Sequence, residues 1–174
     1  MKKIIIILFL ITAYSINAYG TTISKKIVKS NSRIATYLFL NRYNDAIQLG
    51  KKMIVNKTYN HDTYGLMSIA YYCEDNFMLS KLYAEKDLKL KPDSQEAMFR
   101  LAIYYAHYNM YNLSLYYLKE DEKLKNHFPG VWNAIGTIYC VKKEKDKAIK
   151  YFIKQQNHNS NYKKYNKCPK QIYF

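Results

Sequence analysis

The chain has 174 residues, of which 49% are hydrophobic while only 5 are Gly and 3 are Pro, a composition that excludes a disordered chain and favours helices over a turn-rich β-sandwich. Its formal charge of +15 would attract anionic lipid, nucleic acid or acidic proteins. Only three of its 28 basic residues are Arg, the residue best suited to bidentate phosphate contacts, so the composition disfavours a nucleic-acid-binding protein.

The first twenty residues have the layout of a secretory signal peptide. Lys2 and Lys3 form a basic start, residues 4–14 are almost wholly apolar, and small residues follow. We predict that residues 1–20 are a signal peptide and that the protein is exported, to a periplasm or out of the cell. The alternative is an uncleaved membrane anchor, although the apolar run is shorter than the ~20 residues that span a bilayer.

The rest of the chain repeats with a period of 34 residues. Four columns share this register: an aromatic column, a small-residue column, a second aromatic column that ends after three members, and an apolar column in the last three units. The columns are Tyr37, Tyr71, Tyr105 and Tyr139; Ala46, Ser80, Ser114 and Ala148; Tyr43, Phe77 and Tyr111; and Met67, Leu101 and Ile135. A fixed period of this length is typical of helical repeat proteins.

The pattern of each unit predicts two amphipathic helices, because its apolar residues recur at spacings of three and four. The small column opens the second helix of each unit, where a small side chain lets two helices approach closely, and the second aromatic column fills the corner just before it. Asp93 or Ser94 is placed to cap the fifth helix. We predict eight helices in four pairs, within a repeat domain of residues 27–162. The pairs are 27–60, 61–94, 95–128 and 129–162.

The fourth unit resembles a tetratricopeptide repeat (TPR) through Trp132, Ile135, Gly136, Tyr139 and Ala148. The second and third units are similar at the matching positions. The first keeps Tyr37, Tyr43 and Ala46 but has Ser30 and Arg33 at usually apolar positions, as in a degenerate capping repeat. The resemblance implies an all-α, right-handed α-solenoid of about four helix-turn-helix repeats.

The resemblance also implies a binding groove, because the first helix of each repeat lines the concave face of this family and partners lie along it. The positions carried over are largely apolar and aromatic, which suits an amphipathic helix or an extended peptide. The candidate groove residues are Leu66, Ile69, Tyr72, Phe99, Arg100, Ile103, His107, Asn133 and Thr137. The first repeat would contribute Asn31, Ala35 and Leu38.

Chaperone-binding members of the family hold a peptide's terminal carboxylate with Lys and Asn at set groove positions. This sequence has Asn31 and Ala35 there, so the Lys is missing and we do not expect that clamp. His107 has no Ser, Cys or carboxylate placed beside it by a recognisable motif, so we interpret it as structural.

The chain has three cysteines, an odd number that cannot pair fully within one chain. We predict that Cys73 and Cys140 are buried small hydrophobic residues, with a bridge between Cys140 and Cys168 as the alternative if the basic tail, residues 163–174, folds back. No nucleophile, metal or phosphate-binding motif is present, so we predict neither a metal nor a cofactor and no enzymatic activity.

The leading hypothesis is therefore an exported, non-catalytic scaffold that binds a protein or peptide partner. The alternative is a membrane-associated protein whose N-terminal segment is retained and whose basic surface lies on anionic lipid.

Overall fold

The computed structural model describes residues 2–125 and 127–158, with side chains from residue 20 onward. Within these residues the chain forms eight α-helices and no strand, which confirms the predicted all-α class. The helices are α1 (Lys2–Phe39), α2 (Tyr43–Val55), α3 (His61–Cys73), α4 (Phe77–Leu90), α5 (Gln95–His107), α6 (Tyr111–Glu122), α7 (Val131–Val141) and α8 (Lys145–His158).

The helices stack in chain order. α1 packs on α2, α3 on α4, α5 on α6 and α7 on α8, and each pair contacts the next through α2–α3, α4–α5 and α6–α7. Contacts that join only neighbouring units are what define a solenoid. The described part of the chain is therefore an α-solenoid of four helix-turn-helix repeats.

The turn inside each repeat has one conformation, used four times. A single residue with positive φ lies two positions before the second helix, and the next residue donates its backbone N–H to the carbonyl of the Tyr in the first aromatic column, at 2.7–2.9 Å. Helices commonly end with such a left-handed residue followed by a hydrogen bond back to a carbonyl of the last turn, which we call the backward bond. The left-handed residues are Asn41, Asp75, Asn109 and Lys143, each 34 positions from the next.

Stacked tyrosines join the two helices in each of the last three repeats. The rings of Tyr71 and Tyr83 lie 5.3 Å apart at an interplanar angle of 13°. The Tyr105–Tyr117 and Tyr139–Tyr151 pairs repeat this contact at 5.6 and 5.7 Å. Such aromatic pairs stabilise by about 0.5–1.5 kcal/mol beyond the area they bury. The first aromatic column of the sequence is thus one half of a contact between paired helices.

The small column lies where the paired helices come closest. Ala46, Ser80, Ser114 and Ala148 are all buried. The Ser68 hydroxyl on α3 donates a 2.9 Å hydrogen bond to the Ser80 carbonyl on α4, so the two backbones are within reach of one hydroxyl. The predicted role of this column is confirmed.

At one position on the first helix and one on the second, a large side chain on either helix is matched by a small one on the other. Gly136 on α7 faces Phe152 on α8, and a Cβ added to Gly136 would lie 2.6 Å from the Phe152 ring. At the same positions in the other repeats a large residue is matched by a small one, or two small ones meet, and all are buried. These pairs are Ile34 with Gly50, Ser68 with Ala84, and Ala102 with Leu118.

The predicted signal peptide and the predicted tail lie largely outside the described part of the chain. Met1 and residues 159–174 lie outside the described residues, as do the side chains of residues 2–19, so the signal peptide and the tail stay predictions. The helix α1 runs without interruption from Lys2 to Phe39. Among the residues that the structure describes, no helix is both long and apolar enough to cross a membrane.

The expectation of two buried, inert cysteines is wrong. Cys73 is an exposed free thiol, because it is the last residue of α3 and lies beside the turn into α4. Cys140 is half-buried and is disulfide-bonded. Cys168, which the sequence offers as its partner, lies outside the described residues.

Replacing Gly136 with Val should lower the free energy of unfolding by about 1–3 kcal/mol, because the added side chain overlaps the Phe152 ring. Urea unfolding of the full chain followed by circular dichroism measures this. The matched control is Ala35→Val, which enlarges a side chain at an exposed position of α1. That variant should stay within about 0.5 kcal/mol of the wild type. Equal losses from both substitutions would contradict the close contact between α7 and α8.

Candidate functional site

The first helices of the repeats lie on the inner side of the stack. α1 contacts α3, and α3 contacts α5, in addition to the contacts within and between successive pairs. Elements on the inside of a curved stack approach one another, so these contacts match the predicted place of the first helices along the groove. We call the surface of these first helices, with the candidate groove residues, the inner face.

Most of the candidate residues on the inner face are half-buried, so each offers part of its surface to a partner. His107 is exposed, and Thr137 is buried with its hydroxyl bonded to the Asn133 carbonyl at 2.9 Å. Thr137 therefore has little surface left for a partner. The half-buried residues are Leu66, Ile69, Tyr72, Phe99, Arg100, Ile103 and Asn133.

Three candidate groove residues, Tyr72, Arg100 and His107, form one cluster with Phe77, which was not among the predicted groove residues. The Arg100 guanidinium lies over the Tyr72 ring, 5.2 Å from its centroid. Phe77, at the start of α4, packs edge-on against Tyr72 at 5.7 Å and stacks on His107 at 4.1 Å. His107 thus has an aromatic packing role, in keeping with its structural interpretation. Phe77 belongs to the second aromatic column, which the sequence had assigned only to the corner of the turn.

Arg100 is further held by an ion pair on its own helix. Its Nε donates to Glu96 Oε1 at 2.6 Å, one turn earlier on α5, and both side chains are more buried than exposed. The guanidinium is fixed between a carboxylate and an aromatic face, so this planar group is held in one orientation beside the inner face.

Other candidate residues are occupied in packing between repeats. Phe99 stacks on Phe128 of the following loop at 4.2 Å. Asn31 donates from Nδ2 to Asn60 Oδ1 and accepts from the Thr63 hydroxyl, both at 2.9 Å. Asn31, which stands at the first position of the carboxylate clamp found in chaperone-binding members, is therefore engaged within the protein.

A cavity of about 430 Å³ opens beside the inner face, at the junction of α3, α4 and the start of α5. Leu66 and Ile69 line it, so it is continuous with the candidate groove. Sequence reasoning missed it. The other lining residues are His61, Asp62, Gly65, Asp87, Lys91, Ser94, Gln95 and Glu96.

Asp87 forms the floor of this cavity and is only 2% exposed. Its Oδ2 accepts a 2.9 Å hydrogen bond from the Ser94 hydroxyl, which also accepts from the Ala97 N–H and so caps α5. Its Oδ1 has no hydrogen-bond partner, and His61 Nδ1 lies 3.4 Å from it. Burial raises the pKa of Asp87, against the lowering effects of Ser94 and His61.

Among the described residues, the place where a first helix meets the start of the next repeat occurs three times, and we call it the junction. Side chains meet across the first and third junctions but not across the middle one. In the 34-residue register, Gly65 and Ser94 correspond to Asn31 and Asn60 before them and to Phe99 and Phe128 after them. The first junction is closed by the Asn31–Asn60 hydrogen bond and the third by the Phe99–Phe128 stack. The cavity exists because Gly65 has no side chain and Ser94 has a short one.

Asp121 is the counterpart of Asp87 one repeat later, and its carboxylate is satisfied by the backbone. Both oxygens accept from the Phe128 N–H, at 3.0 and 3.2 Å. Burial raises its pKa to about 6, despite the lowering effects of that N–H and of His127, and Glu96 adds to the rise. The buried carboxylates on α4 and α6 therefore hold the loops that lead to the next repeat.

No protein-family model matches the sequence, and no curated protein does. Solved structures do match. MamA is 21% identical, with a TM-score of 0.68 over 78% of this chain and 81% of that chain. YrrB, described as a TPR protein with an unusual peptide-binding site, is 16% identical, with a TM-score of 0.64 over 74% of this chain and 66% of that one.

A further match is TTC0263, a thermophilic TPR protein of Thermus thermophilus, which is 15% identical, with a TM-score of 0.66 over 87% of this chain and 88% of that chain. These similarities confirm that the chain has the tetratricopeptide fold. Within the described residues, no three His, Cys, Asp or Glu side chains are grouped so that they could hold a metal ion.

Asp121→Asn should remove a pH dependence of stability. The folded-state pKa of about 6 lies above the ordinary value of 3.8, so the native state holds the proton more tightly than the unfolded state. Wild-type stability from this group therefore falls as the pH rises from about 4 to about 6, by up to about 3 kcal/mol.

Urea unfolding of wild type and Asp121→Asn at pH 4, 5, 6 and 7 measures the difference, since most other titrations are common to both proteins. The difference should shift in favour of the variant as the pH rises. A difference that stays constant across this range would contradict the raised pKa.

Proposed function

We propose that this chain is an exported, non-catalytic scaffold that binds a protein or peptide partner along the inner face. The observation that carries the proposal is a row of apolar and aromatic side chains on α3 and α5 that the described part of the chain leaves partly exposed. Leu66, Ile69, Tyr72 and Ile103 form this row. YrrB, which shares the fold, is described as having a peptide-binding site.

The shape and chemistry of the row favour an elongated partner. Ile69 and Ile103 occupy equivalent positions in successive repeats, so they repeat one apolar contact along the stack. An amphipathic helix or an extended segment, with apolar residues on one side, matches such a repeat. The cluster of Tyr72, Phe77, Arg100 and His107 adds an aromatic surface and an ion-paired guanidinium at one side of it.

Two features support export. One is the three-part layout of residues 1–20. The other is the disulfide at Cys140, because disulfides persist in oxidising compartments such as a periplasm or the extracellular space. In that compartment the scaffold would hold a partner without changing it chemically.

Tyr72→Glu combined with Ile103→Glu should abolish capture of the partner, because two charges are placed in the apolar row. The measurement is affinity capture from the native envelope fraction, with mass spectrometry of the bound proteins. The control is Leu82→Glu with Leu113→Glu, which adds the same charge on the exposed sides of α4 and α6, where these leucines are 42% and 45% exposed.

Partners kept by the control and lost by the inner-face variant would place binding on the inner face, provided that circular dichroism shows equal helicity. Partners that persist with the inner-face variant would move the binding surface elsewhere and sink the proposal.

Export predicts a shortened chain with a mature N-terminus at Ile16, Tyr19 or Thr21, where cleavage follows a small residue. Intact-mass and N-terminal sequencing of the protein from a soluble envelope fraction measures this. An intact N-terminus in the membrane fraction would instead favour the alternative, in which the segment is retained and the basic surface contacts anionic lipid.

A further inference from the structure

We propose that the cavity between α3, α4 and α5 binds the cationic side chain, Lys or Arg, of the partner peptide. The inference rests on the proposed function, since the peptide along the inner face delivers the side chain. It adds a site with its own chemistry, the capture of a positive charge, to a groove that is otherwise apolar and aromatic.

The first support is that the cavity replaces a junction that is packed elsewhere in the molecule. In the third junction Phe99 and Phe128 stack on each other. The equivalent residues in the middle junction are Gly65 and Ser94. A Cβ on Gly65 would lie 2.9 Å from Asp87 Oδ2, so even an Ala there would crowd the carboxylate. The absence of a side chain at residue 65 thus keeps Asp87 accessible from the cavity.

The second support is the unpartnered oxygen of a buried carboxylate. Asp87 is 2% exposed, and its Oδ1 has no ordinary hydrogen bond but only an ion-pair contact with the His61 ring, whose Nδ1 lies 3.4 Å away. A buried polar atom without a partner is costly, and a carboxylate gains most from a charged donor. An ammonium or guanidinium group in the cavity would supply that donor, which the Ser94 hydroxyl cannot do because it already bonds Oδ2.

The third support is the charge balance of the lining. Of its three carboxylates, Glu96 is neutralised by Arg100, whereas Asp62 and Asp87 are not paired with Lys or Arg. Asp62 lies on the exposed side, where it accepts from Asn60 Nδ2 at 2.9 Å, and His61 Nδ1 is 3.4 Å from both carboxylates. Lys91 is the one cation in the lining, and it is exposed. An acidic recess in a chain of formal charge +15 distinguishes this place from the surface around it.

The apolar part of the lining suits the stem of such a side chain. Leu66 and Ile69 line the cavity and can pack against methylene groups, while Asp62 and Asp87 supply its carboxylates. The volume of about 430 Å³ accommodates a Lys or Arg side chain together with water. Because the same two residues belong to the apolar row, a peptide lying on the inner face can place a side chain in the cavity without leaving the groove.

The test uses the full chain and a random 12-residue peptide library displayed on phage. Peptides selected on wild type that lose binding to the Tyr72→Glu/Ile103→Glu variant occupy the inner face. We expect these peptides to share one Lys or Arg position. Binding of such a peptide should weaken about tenfold or more in Asp62→Asn/Asp87→Asn. The control Asp93→Asn/Asp121→Asn removes the same charge outside the cavity and should change binding less than about threefold.

A double-mutant cycle measures whether the cationic side chain of the peptide interacts directly with the two carboxylates of the cavity. Replacing the shared Lys or Arg of the peptide with norleucine should weaken binding to wild type and leave binding to Asp62→Asn/Asp87→Asn nearly unchanged. Inner-face peptides without a shared cationic position, or with no coupling in the cycle, would overturn the cation site while the proposed function stands.

A library that yields no inner-face peptide would count against the proposed function, and the cavity is then tested by itself with N-butylguanidinium. Saturable shifts of the His61 ring signals in NMR spectra of wild type, absent from the Asp62→Asn/Asp87→Asn variant, would support the cation site. No saturable shift would overturn it. Gly65→Phe, which places the ring of the third junction in the cavity, should abolish the shifts provided that its circular dichroism matches the wild type.

Discussion

The close approach of the two helices in each repeat is the constraint on which the rest of this molecule depends. Small residues at Ala46, Ser80, Ser114 and Ala148 permit it, and the buried positions next to them exchange bulk between the helices, as Gly136 and Phe152 show. Because interiors are packed at nearly constant density, a large residue on one helix requires a small one opposite it. The small column keeps the helix spacing similar in each pair, and similar units can stack into a regular solenoid.

Because the helix spacing is constant, one turn conformation serves all four repeats. This turn fixes where the second helix begins relative to the first. Each left-handed residue is followed by the backward bond to the column tyrosine, so the second helix starts at the same point each time. Equivalent positions on α1, α3, α5 and α7 therefore face equivalent neighbours. In such a molecule function resides in departures from the repeat, and the departures visible on the inner face are the cluster around Tyr72 and the open middle junction.

The sequence was sufficient to predict the helices, since a 34-residue period in several columns states both the helix faces and their order. It was less informative about individual groove residues. Thr137 occupies the position of Ile103 one repeat later and Phe99 lies on the same face of α5, but Thr137 is buried and Phe99 stacks on Phe128. The cavity was missed because it requires Gly65, Asp87 and Ser94 from three separate segments to meet. The available signals were a carboxylate on the buried side of α4 and a Gly in a register column otherwise filled by Asn31, Phe99 and Asn133.

The middle junction is also where the chain forgoes stability that its neighbours have. A stacked aromatic pair contributes about 0.5–1.5 kcal/mol beyond its burial, and a buried polar atom without a partner costs about 1–3 kcal/mol. The third junction has the stack and satisfies Asp121 through the Phe128 N–H, whereas the middle junction has no ring at Gly65 and leaves Asp87 Oδ1 unbonded. The third junction therefore shows which side chains at residues 65 and 94 would fill the middle one, namely two stacked aromatic rings. Local departures from a packing rule that the same chain satisfies elsewhere are expected at functional sites, since a bound group can supply what the unliganded protein lacks.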